Sequence, residues 1–174
     1  ECGATEAWKV LSSMRKEIYD DMVADPKVLQ DNRWPHTIGL LQVARETACR
    51  TALATMSYRE EAVHVLKALE LEQYLDVVLT REDVAKAKPG PEIYLLAAQK
   101  LGVDPQDCLV LEDSPNGVRA GVAAGMNVIA VATPFTVAGL HSSEVLEHAW
   151  VVHEGDNLLD VVKERIANHN RSAH

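Results

Sequence analysis

The sequence has few aromatic residues, few cysteines and no long apolar run. Aromatic residues make up 5% of the 174 positions, and phenylalanine occurs once. Cys2, Cys49 and Cys108 lack metal-binding spacing, so we expect reduced thiols in a cytoplasmic protein rather than a disulfide framework. No run approaches the roughly 18 apolar residues of a membrane span, and no secretory signal is recognisable. We therefore expect no membrane partner.

The chain is also short of positive charge. It has 17 lysines and arginines against 26 aspartates and glutamates, which gives a net charge of −9. Nucleic acids and anionic membranes bind basic surfaces, so the charge argues against both as partners. It leaves a small anionic ligand open, because a local basic cluster can oppose the sign of the whole. The length suits one domain, or one domain with a small appendage.

Short apolar segments alternate with amphipathic ones along most of the chain. The apolar segments predict strands over 51–54, 76–79, 108–111, 128–131 and 150–152. Helical spacing predicts helices over 6–22, 35–48, 58–69, 91–101, 116–124 and 157–167. The polar stretch 24–34 predicts a boundary, and 168–174 predicts a frayed tail. This alternation favours an α/β fold whose parallel sheet is covered by helices on both faces.

Polar residues follow three of the predicted strands, and ligands of open parallel sheets bind beyond such carboxyl ends. Thr55 and Ser57 follow the first strand and Lys88 follows the second. Glu112 and Asp113 follow the third. Hydroxyl and ammonium groups suit phosphate oxygens, and paired carboxylates suit Mg²⁺. The order therefore favours a magnesium-assisted phosphate site.

Taken singly, these residues have simpler interpretations. Thr55 could simply be the residue that ends a strand, and an isolated Lys88 is typical of a solvated loop. The segment Ser57-Tyr58-Arg59-Glu60 matches a capping box, in which Ser57 and Glu60 satisfy a helix start without any ligand. The adjacent carboxylates at 112 and 113 are the least easily explained, because carboxylates beside a buried strand need partners or solvent.

Order and spacing together resemble the haloacid dehalogenase (HAD) superfamily, especially its β-phosphoglucomutase-like phosphatases and mutases. The matching segments are Leu-Ala-Thr55-Met56-Ser57, Ala-Lys88-Pro-Gly-Pro-Glu and Leu-Glu112-Asp113-Ser-Pro-Asn116-Gly117. The resemblance implies a HAD-type Rossmann-like sheet and a small phosphate-ester substrate. It also implies roles for the motif residues: phosphate or substrate binding by Thr55, Met56, Ser57, Lys88 and Asn116, catalysis by Lys88 and Thr55, and Mg²⁺ binding by Asp113 and Glu112.

One part of the family pattern does not occur in these 174 residues. Family members carry an apolar strand ending in Asp-x-Asp, whose first aspartate attacks phosphorus and whose second is the general acid and base. No Asp-x-Asp is present, and Asp20-Asp21 lies within a helical pattern. We interpret residues 1–33 as the remnant of a helical cap, and residues 34–174 as an α/β core without its first, central strand.

This interpretation has consequences for stability and partners. The family's first strand lies between the strands that end at Thr55 and Asp113, so two strand edges would be exposed in mid-sheet. We expect an inactive chain that is poorly stable alone, or that self-associates or exchanges a strand to fill the gap.

Three functions are compatible with the motifs. The first is part of a Mg²⁺-dependent phosphatase or phosphomutase for a small sugar-phosphate-type substrate. The second is a natural non-catalytic HAD-like module that binds a phosphorylated ligand or a protein partner. The third is a receiver-type signalling domain, which also gathers acids, a hydroxyl and a lysine. Receivers present the acids first and the lysine last, opposite to this chain, so the first two interpretations stay open.

Overall fold

The computed structural model describes residues 2–141, 149–153 and 157–172. The helices are α1 (Cys2–Ala24), α2 (Pro26–Asp31), α3 (Pro35–Glu46), α4 (Arg59–Ala68), α5 (Glu92–Leu101), α6 (Pro115–Ala123), α7 (Val137–His141) and α8 (Leu158–Ser172). The strands are β1 (Ala52–Ala54), β2 (Val77–Leu79), β3 (Leu109–Glu112), β4 (Asn127–Ala132) and β5 (Ala149–His153). Within these ranges, no helix is both long and apolar enough to cross a bilayer.

All the described strand pairs are parallel. β1 pairs with β2, with Leu53 opposite Val78. β3 pairs with β4 and β4 with β5, with Val110 opposite Val128. The predicted parallel α/β fold is therefore confirmed. The five strands nevertheless form two sheets, β1-β2 and β3-β4-β5, rather than a single one.

A cleft of about 900 Å³ lies between the two sheets. Its edges are β1 and β3, which are the first strands of their sheets. Side chains of α3 and α8, such as Leu41 and Val162, line it, as do side chains of α5, such as Ala97. The cleft is thus bounded by two strand edges and by helices.

Alternate residues of the strands enter two separate cores, as side-chain alternation along a strand requires. Val128 and Ala130 of β4 pack in the first core, together with residues of α5 and α6. Ile129 and Val131 pack in the second core with residues of α3 and α8. The helices therefore cover both faces of the three-stranded sheet, as predicted.

The predicted boundary at 24–34 contains a short helix. Asp25 caps α2, since its carboxylate accepts a hydrogen bond from the backbone of Lys27 at 2.8 Å. Pro26 occupies the first turn, where its missing N–H costs no hydrogen bond. Val28 and Leu29 are half-buried. The sequence pattern missed this helix, although Asp-Pro also begins helices.

The carboxyl-terminal helix extends further than the sequence predicts. α8 continues to Ser172, so the frayed tail expected from 168 onward is wrong as far as 172, and positions 173–174 lie outside the described residues. His169 Nε2 lies 3.0 Å from Asp107 Oδ1, which anchors this end near the start of β3. The pattern also missed α7, whose Leu140 is fully buried.

Candidate functional site

Thr55 lies directly after β1, at the carboxyl end of the two-stranded sheet. Its backbone N–H donates to the Leu79 carbonyl at 3.0 Å. Its hydroxyl oxygen accepts from the backbone N–H of Ser57 at 3.1 Å. This bond folds the chain into a tight turn and places both hydroxyl-bearing residues at the strand end.

The capping box that the sequence predicts at Ser57 and Glu60 is wrong by one position. α4 begins at Arg59, with Tyr58 as the preceding cap residue. The carboxylate of Glu61 accepts from the Tyr58 backbone N–H at 3.2 Å. Ser57 therefore does not cap this helix, and the structural explanation that competed with a ligand-binding role for it no longer applies.

Lys88 joins the ends of the two sheets. It lies in the loop between β2 and α5, before a cis peptide bond to Pro89. Its ammonium donates to the carbonyl of Ala54, the last residue of β1, at 3.1 Å. The same group contacts Oε1 of Glu112, the last residue of β3. Both charged side chains are only 10% exposed, so this ion pair is largely shielded from water.

Both carboxylate oxygens of Glu112 have protein partners. Oε1 also accepts from the Tyr94 hydroxyl at 2.7 Å. Oε2 accepts from the Ser114 backbone N–H at 3.2 Å and from the Ser114 hydroxyl at 3.0 Å. The Tyr94 ring centre lies 4.7 Å from the Lys88 ammonium, so Tyr94 contacts both members of the ion pair, Glu112 through its hydroxyl and Lys88 through its ring.

Burial and the neighbouring charges shift two pKa values in this cluster. Burial raises the pKa of Glu112, but the charge of Lys88 and hydrogen bonds from Lys88, Tyr94 and Ser114 outweigh it and leave that pKa below 4.5. Burial raises the pKa of Tyr94, and the charge and hydrogen bond of Glu112 raise it further. At neutral pH Glu112 is therefore a carboxylate and Tyr94 a neutral phenol.

Gly117 leaves room for the Glu112 side chain. A Cβ atom at position 117 would lie 1.9 Å from the carboxyl carbon of Glu112 and 2.1 Å from its oxygens. The backbone N–H of Gly117 donates to the Ser114 hydroxyl at 3.0 Å, which caps α6. A residue without a side chain is thus required where α6 passes the carboxylate.

Asp113 and Asn116 lie beside this cluster and are exposed. Asn116 Oδ1 accepts from Arg119 at 3.4 Å. Met56 is half-buried and packs against the first core, so its side chain is not directed freely to solvent. The described residues contain no group of three or more potential metal ligands.

Sequence reasoning missed Tyr94, and it missed the role of Ser114 as a partner of Glu112. Tyr94 follows the helical pattern of α5 like an ordinary core residue, and its hydroxyl partner is known only from the tertiary structure. Ser114 did carry a signal, because serine followed by proline is typical of a helix start. Its second hydrogen bond, to Glu112, follows from its position two residues after the end of β3.

A family model described as haloacid dehalogenase-like hydrolase matches residues 5–125. The phosphorylated carbohydrates phosphatase of Thermotoga maritima is 32% identical over 164 residues, covering 92% of this chain and 73% of the relative. CbbY from Rhodobacter sphaeroides, solved in complex with phosphate, has 26% identity and a TM-score of 0.63, covering 73% of this chain and 57% of that one. The β-phosphoglucomutase of Clostridium difficile has the same fold, with 24% identity, a TM-score of 0.66 and 83% and 62% coverage.

The chain thus spans less than two thirds of these two solved structures, and only 34% of hexitol phosphatase A from Escherichia coli. The family match still covers most of the chain, including the segments around Thr55, Lys88 and Asp113. The parallel α/β fold and the order of these segments agree with it. The chain therefore belongs to the haloacid dehalogenase-like hydrolase family.

Proposed function

We propose that this chain carries the phosphate-binding and metal-binding part of a Mg²⁺-dependent phosphatase or phosphomutase for a small sugar phosphate. The observation that carries the proposal is the position of the Lys88 ammonium. It contacts the last residue of β1 and the last residue of β3. The residues that follow these two in sequence are Thr55 and Asp113. A shielded cation at the carboxyl ends of parallel strands suits a phosphate group.

Lys88 supplies positive charge and a hydrogen-bond donor to the phosphate. An ammonium has three N–H donors, and two of them bond Ala54 and Glu112. The third is available to a phosphate oxygen placed over the strand ends. We infer that Thr55, Ser57 and Asn116 would offer hydroxyl and amide groups to the same phosphate, together with the backbone of Met56, which lies between Thr55 and Ser57 in sequence. These groups would orient the ester and stabilise charge on its oxygens.

Asp113 is the better placed of the two proposed metal ligands. Its carboxylate is exposed at the end of β3, whereas both oxygens of Glu112 are engaged by Lys88, Tyr94 and Ser114. Bound Mg²⁺ would neutralise charge on the phosphate oxygens. We infer that Asp113 binds the ion directly and that Glu112, adjacent to it, mainly holds Lys88 and adds negative charge to the site.

We further infer that residues 1–174 alone bind a phosphate ester without turning it over. The family mechanism needs an attacking aspartate in Asp-x-Asp, and the sequence printed here contains none. Positioning and charge stabilisation can remain without it, but the covalent step has no attacking group. A non-catalytic module that binds a phosphorylated ligand would behave in the same way, so binding and turnover must be measured separately.

The names of relatives support a sugar phosphate as the substrate class. The Thermotoga maritima relative is a phosphorylated carbohydrates phosphatase, and a partial match is named hexitol phosphatase A. We also propose a division of the chain into two parts. Residues 1–33 would be part of a helical cap and 34–174 the α/β core, which is consistent with the packing of α1 on α2 and of α2 on α4.

The test combines ligand-induced thermal stabilisation with an assay on para-nitrophenyl phosphate. We expect Mg²⁺ together with inorganic phosphate to raise the melting temperature, because ligands that bind only the folded state stabilise it. Asp113→Asn should abolish the shift. Asp104→Asn is the matched control, since Asp104 is equally a surface aspartate but precedes β3. We expect no turnover of the aryl phosphate by any of these proteins.

Two results would overturn the proposal. If Asp104→Asn and Asp113→Asn lose the ligand shift equally, the cation does not bind at the end of β3. If the chain hydrolyses the aryl phosphate and Asp113→Ala retains that activity, the chemistry lies elsewhere. Binding without turnover in a longer protein that includes an Asp-x-Asp strand would favour the non-catalytic module.

A further inference from the structure

The segment that follows β1 is bonded to the loop that follows β2. At the end of the two strands, the backbone N–H of Thr55 donates to the Leu79 carbonyl at 3.0 Å. Two residues further along, the Ser57 carbonyl accepts from the Arg81 backbone N–H at 3.1 Å. Hydrogen bonds between the two segments therefore continue beyond the paired strands and reach the turn that carries both hydroxyl groups.

A third contact, two residues after Ser57, comes from a side chain. The backbone N–H of Arg59, the first residue of α4, donates to a carboxylate oxygen of Glu82 at 2.7 Å. The N–H groups at the start of a helix have no partner within the helix. Glu82 supplies one from the neighbouring loop, and it thereby holds the chain on the far side of the turn.

The loop of residues 80–83 is folded around Thr80, which is fully buried. The Thr80 hydroxyl lies 3.0 Å from a carboxylate oxygen of Glu82 and 3.0 Å from one of Asp83. The Thr80 backbone N–H donates to Asp83 at 2.7 Å and keeps the pKa of that carboxyl below its ordinary value of 3.8. Asp83 also pairs with the Arg59 guanidinium at 2.5 Å. Both acidic side chains are thus oriented by Thr80, and both contact Arg59.

We propose that Glu82 is a positioning residue of the phosphate site, which fixes the turn from Thr55 to Ser57 through its bond to the Arg59 backbone. The inference rests on the proposed function, in which this turn binds the phosphate. Glu82 acts on the turn and not on the ligand. Asp83 supports it by holding the loop in its fold and by pairing with the same residue of α4.

The charge of Glu82 predicts the opposite effect on binding. A carboxylate near a bound anion can only repel it, so removing the charge should strengthen phosphate binding. If Glu82 fixes the turn, removing its side chain should weaken binding, because the hydroxyl groups are no longer held in the geometry that the ligand requires. The two effects have opposite signs, so a measured affinity separates them.

The test is calorimetric titration of residues 1–174 with inorganic phosphate in the presence of Mg²⁺. We expect Glu82→Ala to weaken phosphate binding at least about threefold, since a hydrogen bond that holds the turn is lost. Glu82→Gln keeps an oxygen that can accept from the Arg59 N–H, and it should bind phosphate as tightly as the unmodified chain or more tightly. Glu60→Ala is the matched control, because Glu60 is an exposed acid in the same first turn of α4. It should not weaken binding.

A second pair of variants tests the same bond from its donor. Arg59→Pro removes the N–H at the first position of a helix, where proline is well tolerated. Arg59→Ala keeps that N–H and removes only the guanidinium. We expect Arg59→Pro to weaken phosphate binding at least about threefold more than Arg59→Ala. Adding Glu82→Ala to Arg59→Pro should cause little further loss, because both changes remove the same bond.

The inference is wrong if Glu82→Ala binds phosphate as tightly as the unmodified chain or more tightly, or if Glu60→Ala weakens binding equally. If Glu82→Ala does not fold, the donor variants decide, and equal binding by Arg59→Pro and Arg59→Ala contradicts the inference. Failure of the proposed function gives a different result, in which the unmodified chain itself binds no phosphate with Mg²⁺. Glu82 then has no phosphate site to position, and this inference fails as well.

Discussion

At the scale of single residues, Glu112 is the centre of the site. Lys88, Tyr94 and Ser114 hold its two oxygens, and Gly117 leaves the space that its carboxylate fills. A buried carboxylate is stable only when such partners replace the lost water. The side chain is therefore fixed in position, and the direction of the Lys88 ammonium depends on it.

Gly117→Ala should displace Glu112 and destabilise the protein. The new Cβ would lie about 2 Å from the carboxylate, and a well-packed site absorbs such an insertion at a cost of roughly 1–3 kcal/mol. The measurement is the free energy of unfolding by chemical denaturation. A helix-favouring substitution alone would stabilise, so a loss of stability identifies the clash.

Gly39→Ala is the matched control for this prediction. It is also a helical glycine, in α3, but a Cβ there meets only the flexible end of Leu159 at 3.0 Å. We expect it to be neutral or slightly stabilising. Equal destabilisation by both variants would mean that the contact with Glu112 has no special role.

The sequence predicted some of these residues and not others for a physical reason. Thr55, Lys88, Glu112 and Asp113 follow apolar segments, and strand ends of a parallel sheet meet at one edge, so local order was sufficient to group them. Tyr94 contacts Glu112 across 18 positions of sequence. Nothing local distinguishes its hydroxyl from that of an ordinary core tyrosine.

At the scale of elements, the Lys88–Glu112 pair connects β1 to β3 across the cleft. Both side chains are 10% exposed. Lys88 bonds the carbonyl of Ala54 in β1, and Glu112 is the last residue of β3. A double-mutant cycle with Lys88→Met and Glu112→Gln should give a coupling above about 1 kcal/mol in the free energy of unfolding. The Lys16–Asp20 pair on α1 should show much weaker coupling, because both side chains are about half exposed to water.

The coupling should also depend on pH. The folded-state pKa of Glu112 lies below its ordinary value of 4.5. Its ionised form therefore stabilises the fold fully above pH 4.5, and the contribution is lost as pH falls through the folded pKa. A coupling measured at pH 7 should decline in acid below 4.5. A value independent of pH would show that charge is not what joins the two strand ends.

Element boundaries were less predictable than element types. The alternation of strands and helices was read correctly because continuous apolar runs and helical spacing differ over many residues. The pattern missed α2 because six residues are too few to show a period. α7 is shorter still, and it is held by the burial of Leu140 in the first core rather than by local propensity.

At the scale of the whole molecule, the two sheets depend on a shared core. Leu79 of β2, Val110 of β3 and Ile93 of α5 all belong to the first core, in which α5 packs against β1, β2 and α6. The second core contains Ile129, with residues of α3, β5 and α8, and includes no residue of β1 or β2. That the strands divide in this way could not be predicted from periodicity, which gives strand positions but not their neighbours.

This arrangement predicts different effects for two buried isoleucines. Ile93→Ala and Ile129→Ala remove the same atoms from residues that are both 0% exposed, so each should cost roughly 2–5 kcal/mol. Hydrogen exchange resolves the two cases. Ile93→Ala should speed exchange in β2 and β4 alike, because the first core supports both sheets. Ile129→Ala should speed exchange in β4 more than in β2. Equal acceleration of both strands by Ile129→Ala would mean that the sheets unfold as one unit in spite of the cleft between them.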